Sequence, residues 1–130
     1  MHAQGRLARR HGPLVPANLT LLCSLLGTPY LPDLRGAILL LEDVNEPPHK
    51  IDRMLTQLLH AGILGGCAGL LLGGFRHCGD AAAREALLAK FAAVVPCPVV
   101  AGVPFGHRFP RLAMRIGQPA AILPGPVLQA

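Results

Sequence analysis

The sequence predicts an α/β fold in which flanking helices cover a mostly parallel sheet. Two observations support this prediction. Short apolar runs, typical of strands buried on both faces, occur at residues 37–41, 68–72 and 98–101. Helical patterns separate these runs, and strands that alternate with helices usually form parallel sheets. A chain of 130 residues with 52% apolar content has enough material for one such domain with one core.

The first predicted element is a short helix that begins after Asn18. Asn18 suits the N-cap position, and Gly27 suits the residue that follows the helix. Residues 1–17 include the cluster Arg6, Arg9 and Arg10, which is typical of a solvated tail. We therefore expect residues 1–17 to form a poorly ordered arm and residues 18–130 to form the domain.

The second helix is the most regular element of the sequence. It follows a turn with Pro47 and Pro48, and Gly62 ends it. Its apolar residues recur at helical spacing: Ile51, Met54, Leu55, Leu58 and Leu59. This stripe predicts a helix packed against the sheet. An alanine-rich helix over residues 80–95 and short strands over 112–116 and 120–123 complete the predicted fold.

Composition argues against several classes of partner. The net charge is +5, but the arginines are scattered, tryptophan is absent and Tyr30 is the only tyrosine, so we expect no nucleic-acid partner. The uncharged stretch 61–75 is too short to span a bilayer and holds six glycines. Pro13 and Pro16 interrupt any leader-like apolar region. We expect a soluble, cytoplasmic protein without a membrane partner.

The four cysteines predict buried, reduced thiols. Cys23, Cys67, Cys78 and Cys97 are widely and irregularly spaced, with no pair separated by two residues. This spacing favours neither a zinc site nor a disulfide framework. We expect neither a metal nor another cofactor.

Two polar residues stand where chemistry is expected. Glu42 directly follows the run 37–41, and His107 lies in a Gly/Pro turn after the run 98–101. An acid and a histidine at the ends of two buried strands can converge as the orienting half of a nucleophilic triad. Taken alone, Glu42 also fits a solvated acid beside Asp43 and Glu46, and His107 also fits an exposed loop residue. The only serine, Ser24, lies on an apolar helix without a nucleophile elbow and is expected to be a packing residue.

An ordered series of motifs makes the interpretation more specific. From about Asn18 to Leu123 the chain resembles the C-terminal domain of the LD-carboxypeptidases, a serine peptidase family that includes murein tetrapeptide carboxypeptidase and the microcin C self-immunity peptidases. The motifs are Asn18-Leu19-Thr20-Leu21-Leu22, Gly27-Thr28-Pro29, Ile38-Leu39-Leu40-Leu41-Glu42-Asp43-Val44, Ile51-Asp52-Arg53-Met54-Leu55-Thr56-Gln57-Leu58, Ala61-Gly62, Leu72-Gly73-Gly74-Phe75 and Pro104-Phe105-Gly106-His107.

The resemblance implies a swivelling β/β/α domain and a divided Ser-Glu-His triad. In such enzymes an N-terminal domain supplies the serine, and by motif Glu42 and His107 match the family's Glu and His. Asp43 and Glu46 are then expected to be solvent-facing or helix-start charges. The implied reaction releases the terminal D-Ala of a murein tetrapeptide during peptidoglycan recycling, without a metal. The implied partners are the nucleophile domain, which we expect to be missing here, and a second copy in a homodimer. The isolated chain is therefore expected to be inactive.

One departure from the family pattern leaves alternatives open. The family enters this domain through Gly-Gly-Asn-Leu, whereas this chain has Pro16-Ala17-Asn18-Leu19, which removes backbone freedom at the turn. The alternatives are an inert remnant or interaction module of the same fold, and a peptidase domain of the microcin C immunity type.

Overall fold

The computed structural model describes residues 2–4, 9–123 and 128–129. Its strands are β1 (His2–Gln4), β2 (Arg10–Asn18), β3 (Ile38–Val44), β4 (Gly69–Arg76), β5 (Val99–Ala101), β6 (Pro119–Ile122) and β7 (Leu128–Gln129). Its helices are α1 (Leu19–Ser24), α2 (Pro48–His60), α3 (Ile63–Gly66) and α4 (Ala81–Val94). The predicted helices after Asn18, before Gly62 and across the alanine-rich segment are all present.

The described strands form one sheet in the order β1-β5-β4-β3-β2-β6-β7. The central strands β2, β3, β4 and β5 are parallel to one another, while β1, β6 and β7 pair antiparallel at the two sides. The α/β prediction with a mostly parallel sheet and flanking helices is therefore confirmed. Because these four strands run in the same direction, their carboxyl ends lie at one edge of the sheet.

Both faces of the sheet are covered. Leu39, Leu41, Leu70 and Leu72 point towards the helices and pack with α2 residues such as Leu55. The other face is smaller, and its core contains Ile38, Leu40 and Leu71 together with Ile122 of β6 and Val103 of the loop after β5. Leucines alternate between the two cores along β3, as the period-two geometry of a strand requires.

Strand β2 corrects the prediction for the beginning of the chain. Residues 10–17 were expected to belong to a poorly ordered arm, but they form a strand inside the sheet. The first half of β2 pairs with β6 and its second half, from Leu14, pairs with β3. Each half therefore has one unpaired side, which accommodates Pro13 and Pro16 although neither has an N–H to donate. Arg6 lies outside the described residues.

The loop between β5 and β6 corrects a second prediction. Residues 112–116 were expected to form a strand, but they have no ladder partner. The N–H of Leu112 donates to the carbonyl oxygen of Pro104 at 2.8 Å, so this segment folds back on its own loop. The side chains of Leu112 and Ile116 are exposed, and only Met114 packs against the core. In the part of the chain that is described, none of the helices has the length and apolar character needed to cross a bilayer.

Candidate active site

The position of Glu42 is set by a bulge between β3 and β4. Leu41 pairs with Leu72, and Asp43 pairs with Phe75, so two residues of β4 lie opposite the single residue Glu42. A bulge of this kind bends the strand locally and redirects side chains. The strand was predicted to end at Leu41, but β3 continues through Glu42 to Val44. Glu42 is therefore held by a strand rather than by a turn.

The two bulge residues of β4, Gly73 and Gly74, form a platform for the loop that contains His107. The N–H of Gly74 donates to the carbonyl oxygen of Phe105 at 2.8 Å. A Cβ atom on Gly73 would lie 2.8 Å from the same oxygen, which is closer than real Cβ atoms approach. Glycine is therefore required at Gly73 for the loop to rest directly on the backbone of β4.

Gly106 brings the same loop against Glu42. Its φ angle is +108°, a conformation that L side chains rarely adopt. A Cβ atom at this position would lie 2.7 Å from Oε2 of Glu42 and 2.8 Å from its Cβ. The loop therefore passes over the Glu42 side chain at a distance that only a residue without a Cβ atom allows.

The result is a direct contact between the two predicted site residues. Nδ1 of His107 lies 2.8 Å from Oε2 of Glu42. The Glu42 side chain is only 5% exposed, whereas the His107 side chain is 53% exposed. A carboxylate can only accept a hydrogen bond, so Nδ1 bears the proton in this pair, and Nε2 of the neutral ring retains its lone pair. The arrangement orients an imidazole base towards the surface.

Asn18 holds the other oxygen of Glu42. Its Nδ2 donates to Oε1 of Glu42 at 3.1 Å and to Oδ1 of Asp43 at 3.2 Å. Its Oδ1 accepts the N–H of Leu21 at 3.0 Å, which confirms the predicted N-cap of α1. One amide thus joins the end of β2, the first turn of α1 and the acid of the site.

Asp43 is a residue that the sequence analysis placed wrongly. It was expected to face solvent or a helix start, but it is 2% exposed. Its Oδ2 accepts the backbone N–H of Thr20 at 3.0 Å and the Thr20 hydroxyl at 2.8 Å, and its Oδ1 accepts the N–H of Val44 at 2.8 Å. Asp43 therefore fastens α1 to β3 beside the site. Glu46, in contrast, stands near the start of α2 and pairs with Lys50 at 3.6 Å.

The described residues bring no activated nucleophile to His107. The Ser24 hydroxyl donates to the carbonyl oxygen of Leu21 at 2.6 Å, and Ser24 is exposed, so it is not the packing residue that was expected. Within the described ranges, the only side-chain hydrogen bond of His107 is the one to Glu42.

The cysteines are not activated either. All four are free thiols. Burial raises the pKa of Cys23 and of Cys67 to about 11, and it also raises the pKa of Cys78 and of Cys97. Because the thiolate is the nucleophilic form, these residues are inert at neutral pH. Among the residues that the structure describes, no three His, Cys, Asp or Glu side chains are grouped to hold a metal ion.

Comparison with known proteins identifies the class to which this fold belongs. The chain matches the family described as the LD-carboxypeptidase C-terminal domain over residues 11–122, and it belongs to that family. The family resemblance in the sequence is thereby confirmed. The match begins inside β2, which agrees with the ordered strand rather than with a domain boundary at residue 18.

Two relatives illustrate the similarity. A probable murein peptide carboxypeptidase of Bacillus subtilis is 39% identical over 119 residues, covering 88% of this chain and 37% of the relative. The murein tetrapeptide carboxypeptidase of Pseudomonas aeruginosa is 33% identical over 125 residues, covering 93% and 41% respectively. The chain thus spans about two fifths of the length of these relatives.

Solved structures support the fold. The crystal structure of muramoyltetrapeptide carboxypeptidase from Oxalobacter formigenes superimposes with a TM-score of 0.81 at 34% identity, covering 90% of this chain and 42% of the other. A structure of MccF in complex with glutamyl sulfamoyl guanosine gives a TM-score of 0.77 at 23% identity, covering 88% of this chain and 35% of the other. The second likeness is a likeness of fold alone.

Proposed function

We propose that this domain supplies the histidine base and its orienting acid to a serine LD-carboxypeptidase. The observation that supports the proposal is the 2.8 Å contact between Nδ1 of His107 and the buried Oε2 of Glu42. Among the described histidines, His107 is the one whose ring bonds a buried carboxylate, whereas His77 bonds the amide oxygen of Asn45 at 3.1 Å. The implied substrate is a murein tetrapeptide, from which the terminal D-Ala is released.

The mechanism follows from the roles of the two side chains. Nε2 of His107 removes the proton from a serine hydroxyl, and the serine oxygen attacks the carbonyl carbon of the amide that joins an L-centre to D-Ala. The carboxylate of Glu42 accepts the Nδ1–H throughout and stabilises the imidazolium that forms. His107 then returns the proton to the departing amine of D-Ala. Water deacylates the serine ester with the same base.

The nucleophile in this proposal is not Ser24, whose hydroxyl is bonded within α1. It comes from a nucleophile-bearing N-terminal domain of the kind that the family resemblance implies, together with the N–H groups that stabilise the oxyanion. We place the reaction in the cytoplasm, and the four unpaired thiols suit a reducing compartment. We further propose that the enzyme forms a homodimer.

The test is a reconstituted enzyme. The N-terminal part of the Bacillus subtilis relative is fused ahead of residues 9–130, and release of D-Ala from a murein tetrapeptide is followed by a coupled assay. His107→Ala or Glu42→Gln should lower kcat by a factor of about a hundred or more, because each removes base catalysis or its tautomer control.

Matched variants make the test specific. His49→Ala removes an exposed histidine of α2, and Glu46→Gln neutralises an acid four residues from Glu42. Both should retain activity within a factor of about three, since surface changes rarely alter an active site. A folded, active fusion that tolerates His107→Ala would refute the proposed role. A folded fusion that is inert would favour the alternative of a remnant without chemistry. Hydrolysis by the unfused chain would place a nucleophile within it.

A further inference from the structure

A groove beside His107 has no role in the proton transfers described above. It opens at the carboxyl end of β4, has a volume of about 540 Å³, and lies between the bulge glycines and the first turns of α4. Arg76, Arg84 and Arg108 line it, and Glu85 is the only acidic side chain among its lining residues. Its size is within the range of cavities that bind small organic ligands.

The three arginines come from different elements. Arg76 is the last residue of β4, Arg84 lies in the first turns of α4, and Arg108 follows His107 in the loop. Nη1 of Arg76 donates to the carbonyl oxygen of His107 at 3.3 Å, so this guanidinium is in direct contact with the backbone of the proposed base. Nη1 of Arg84 donates to the carbonyl oxygen of Gly79.

None of these arginines is neutralised by an ion pair in the described part of the chain. The pairs formed there are Arg35–Asp33, Lys50–Glu46, Lys90–Asp52 and His107–Glu42. Asp80, the N-cap residue of α4, accepts the N–H of Ala83 with its carboxylate. Three arginines and one glutamate line the groove, so the local charge favours an anion.

The floor of the groove allows close approach. Gly73, Gly74 and Gly102 line it and present backbone instead of side chains. Phe75 and Leu88 provide apolar walls beside the arginines. A ligand that combines a short apolar group with a planar anion matches this surface better than a compact inorganic ion does. Guanidinium groups bind planar carboxylates through two parallel hydrogen bonds.

We propose that this groove binds the free terminal carboxylate of the peptide substrate and so selects for a residue at the chain end. The inference rests on the proposed function, because a carboxypeptidase cuts one residue before a free carboxylate. Consecutive Cα atoms are about 3.8 Å apart, so that carboxylate lies within a few ångströms of the base. The contact of Arg76 with His107 places a guanidinium at that distance from the imidazole loop.

The experiment measures binding to the chain itself and needs no nucleophile. A murein tetrapeptide ending in D-Ala is titrated against the folded chain by NMR, beside the same peptide with a terminal carboxamide. The carboxylate form should bind about tenfold more tightly. Arg76→Gln and Arg108→Gln should each reduce that preference severalfold, and the double variant should abolish it. Arg53→Gln, an exposed arginine of α2, should leave it unchanged.

Three results would overturn the proposal: equal binding of the two peptides, an unchanged preference in the double variant, or no saturable binding to the chain. Inorganic phosphate is the competitor. Displacement of the peptide by phosphate at equal concentration would show that the groove binds anions in general, and would likewise overturn the proposal. Thermal unfolding shows that each variant is folded.

The proposed function is judged separately in the fused enzyme. There Arg108→Gln, which leaves the hydrogen bond from Arg76 to the His107 backbone in place, should raise KM severalfold with little change in kcat, whereas Glu42→Gln lowers kcat. An active fusion whose KM ignores Arg76 and Arg108 would refute the groove and leave the function standing. A folded fusion that is inert, together with a chain that prefers the carboxylate peptide, would refute the proposed function and support the groove.

Discussion

Gly106→Ala is the substitution for which the structure gives the most specific expectation. Alanine at φ +108° is strained, at a cost of about 1–2 kcal/mol. The new methyl group would also lie 2.7 Å from Oε2, 2.8 Å from Cβ and 2.9 Å from Cγ of Glu42. Glu42 is buried and cannot swing away, so the loop must move. Overpacking of this kind costs about 1–3 kcal/mol, for a total of about 2–5 kcal/mol.

Gly117→Ala is the matched control. Gly117 has a φ of +79°, but a Cβ atom there would meet nothing within 4 Å. This variant therefore experiences the backbone strain without the collision, at a cost of about 1–2 kcal/mol. The difference between the two variants isolates the collision with Glu42. In a domain of this size 1 kcal/mol corresponds to roughly 4 °C in Tm, so Gly106→Ala should melt about 4–12 °C below Gly117→Ala.

The assay has two readouts. Thermal unfolding by circular dichroism gives the Tm of each variant, and proton NMR detects the Nδ1–H of His107, whose hydrogen bond to Glu42 shields it from exchange with water. Gly106→Ala should lose that resonance and Gly117→Ala should keep it. Equal Tm values, with the resonance retained in both variants, would refute the packing of the His107 loop against Glu42.

Three further perturbations test the surroundings of the pair. Asn18→Ala removes an N-cap and a donor to two buried carboxylates, and should lower the free energy of unfolding by about 2–4 kcal/mol in a urea titration. Asn18→Asp restores the cap but places a third acid beside these carboxylates, so this variant should be less stable than the wild-type protein. Asp43→Ala leaves the N–H groups that it accepts unpaired, and should cost about 2–4 kcal/mol by the same measurement. The pKa of about 11 at Cys23 and Cys67 predicts slow alkylation by iodoacetamide at pH 8 and faster alkylation as the pH rises past 9, and rapid modification of the native protein at pH 8 would contradict it. Because folding raises these two pKa values, the stability that the neutral thiols contribute is present below pH 9 and is lost as the pH rises towards 11.

The helices and the central strands were predictable because their signals are local. The stripe from Ile51 to Leu59 repeats at helical spacing, and an apolar run such as 37–41 has few interpretations other than a buried strand. β2 was not predictable in this way. Pro13 and Pro16 argue against a strand that is paired on both sides, and only the change of partner at Leu14 makes them compatible with the sheet.

The candidate site likewise contains one feature that the sequence predicts and one that it does not. The contact of Glu42 with His107 was expected from the motifs, and the structure contains it. The burial of Asp43 was not expected, because an acid near the end of a strand is usually solvated. Its partners are the N–H and hydroxyl of Thr20, at the start of a helix 23 residues earlier. A pairing over that distance depends on tertiary structure, and the only sequence signal was a threonine in the first turn after an N-cap.

The two halves of the pair differ in how firmly they are held, and this difference bears on mechanism. Glu42 lies in a strand, opposite a bulge, with Oε1 fixed by Asn18 and Oε2 by His107. His107 lies in a loop, and its side chain is half exposed. The backbone of this loop is held by the hydrogen bonds of Gly74 to Phe105 and of Arg76 to His107. In the proposed enzyme the acid would therefore be in place before the nucleophile-bearing domain docks, and only the half-exposed imidazole would have to adjust towards the nucleophile. Preorganisation of the acid lowers the cost of assembling the site, because only one side chain has to adjust its position.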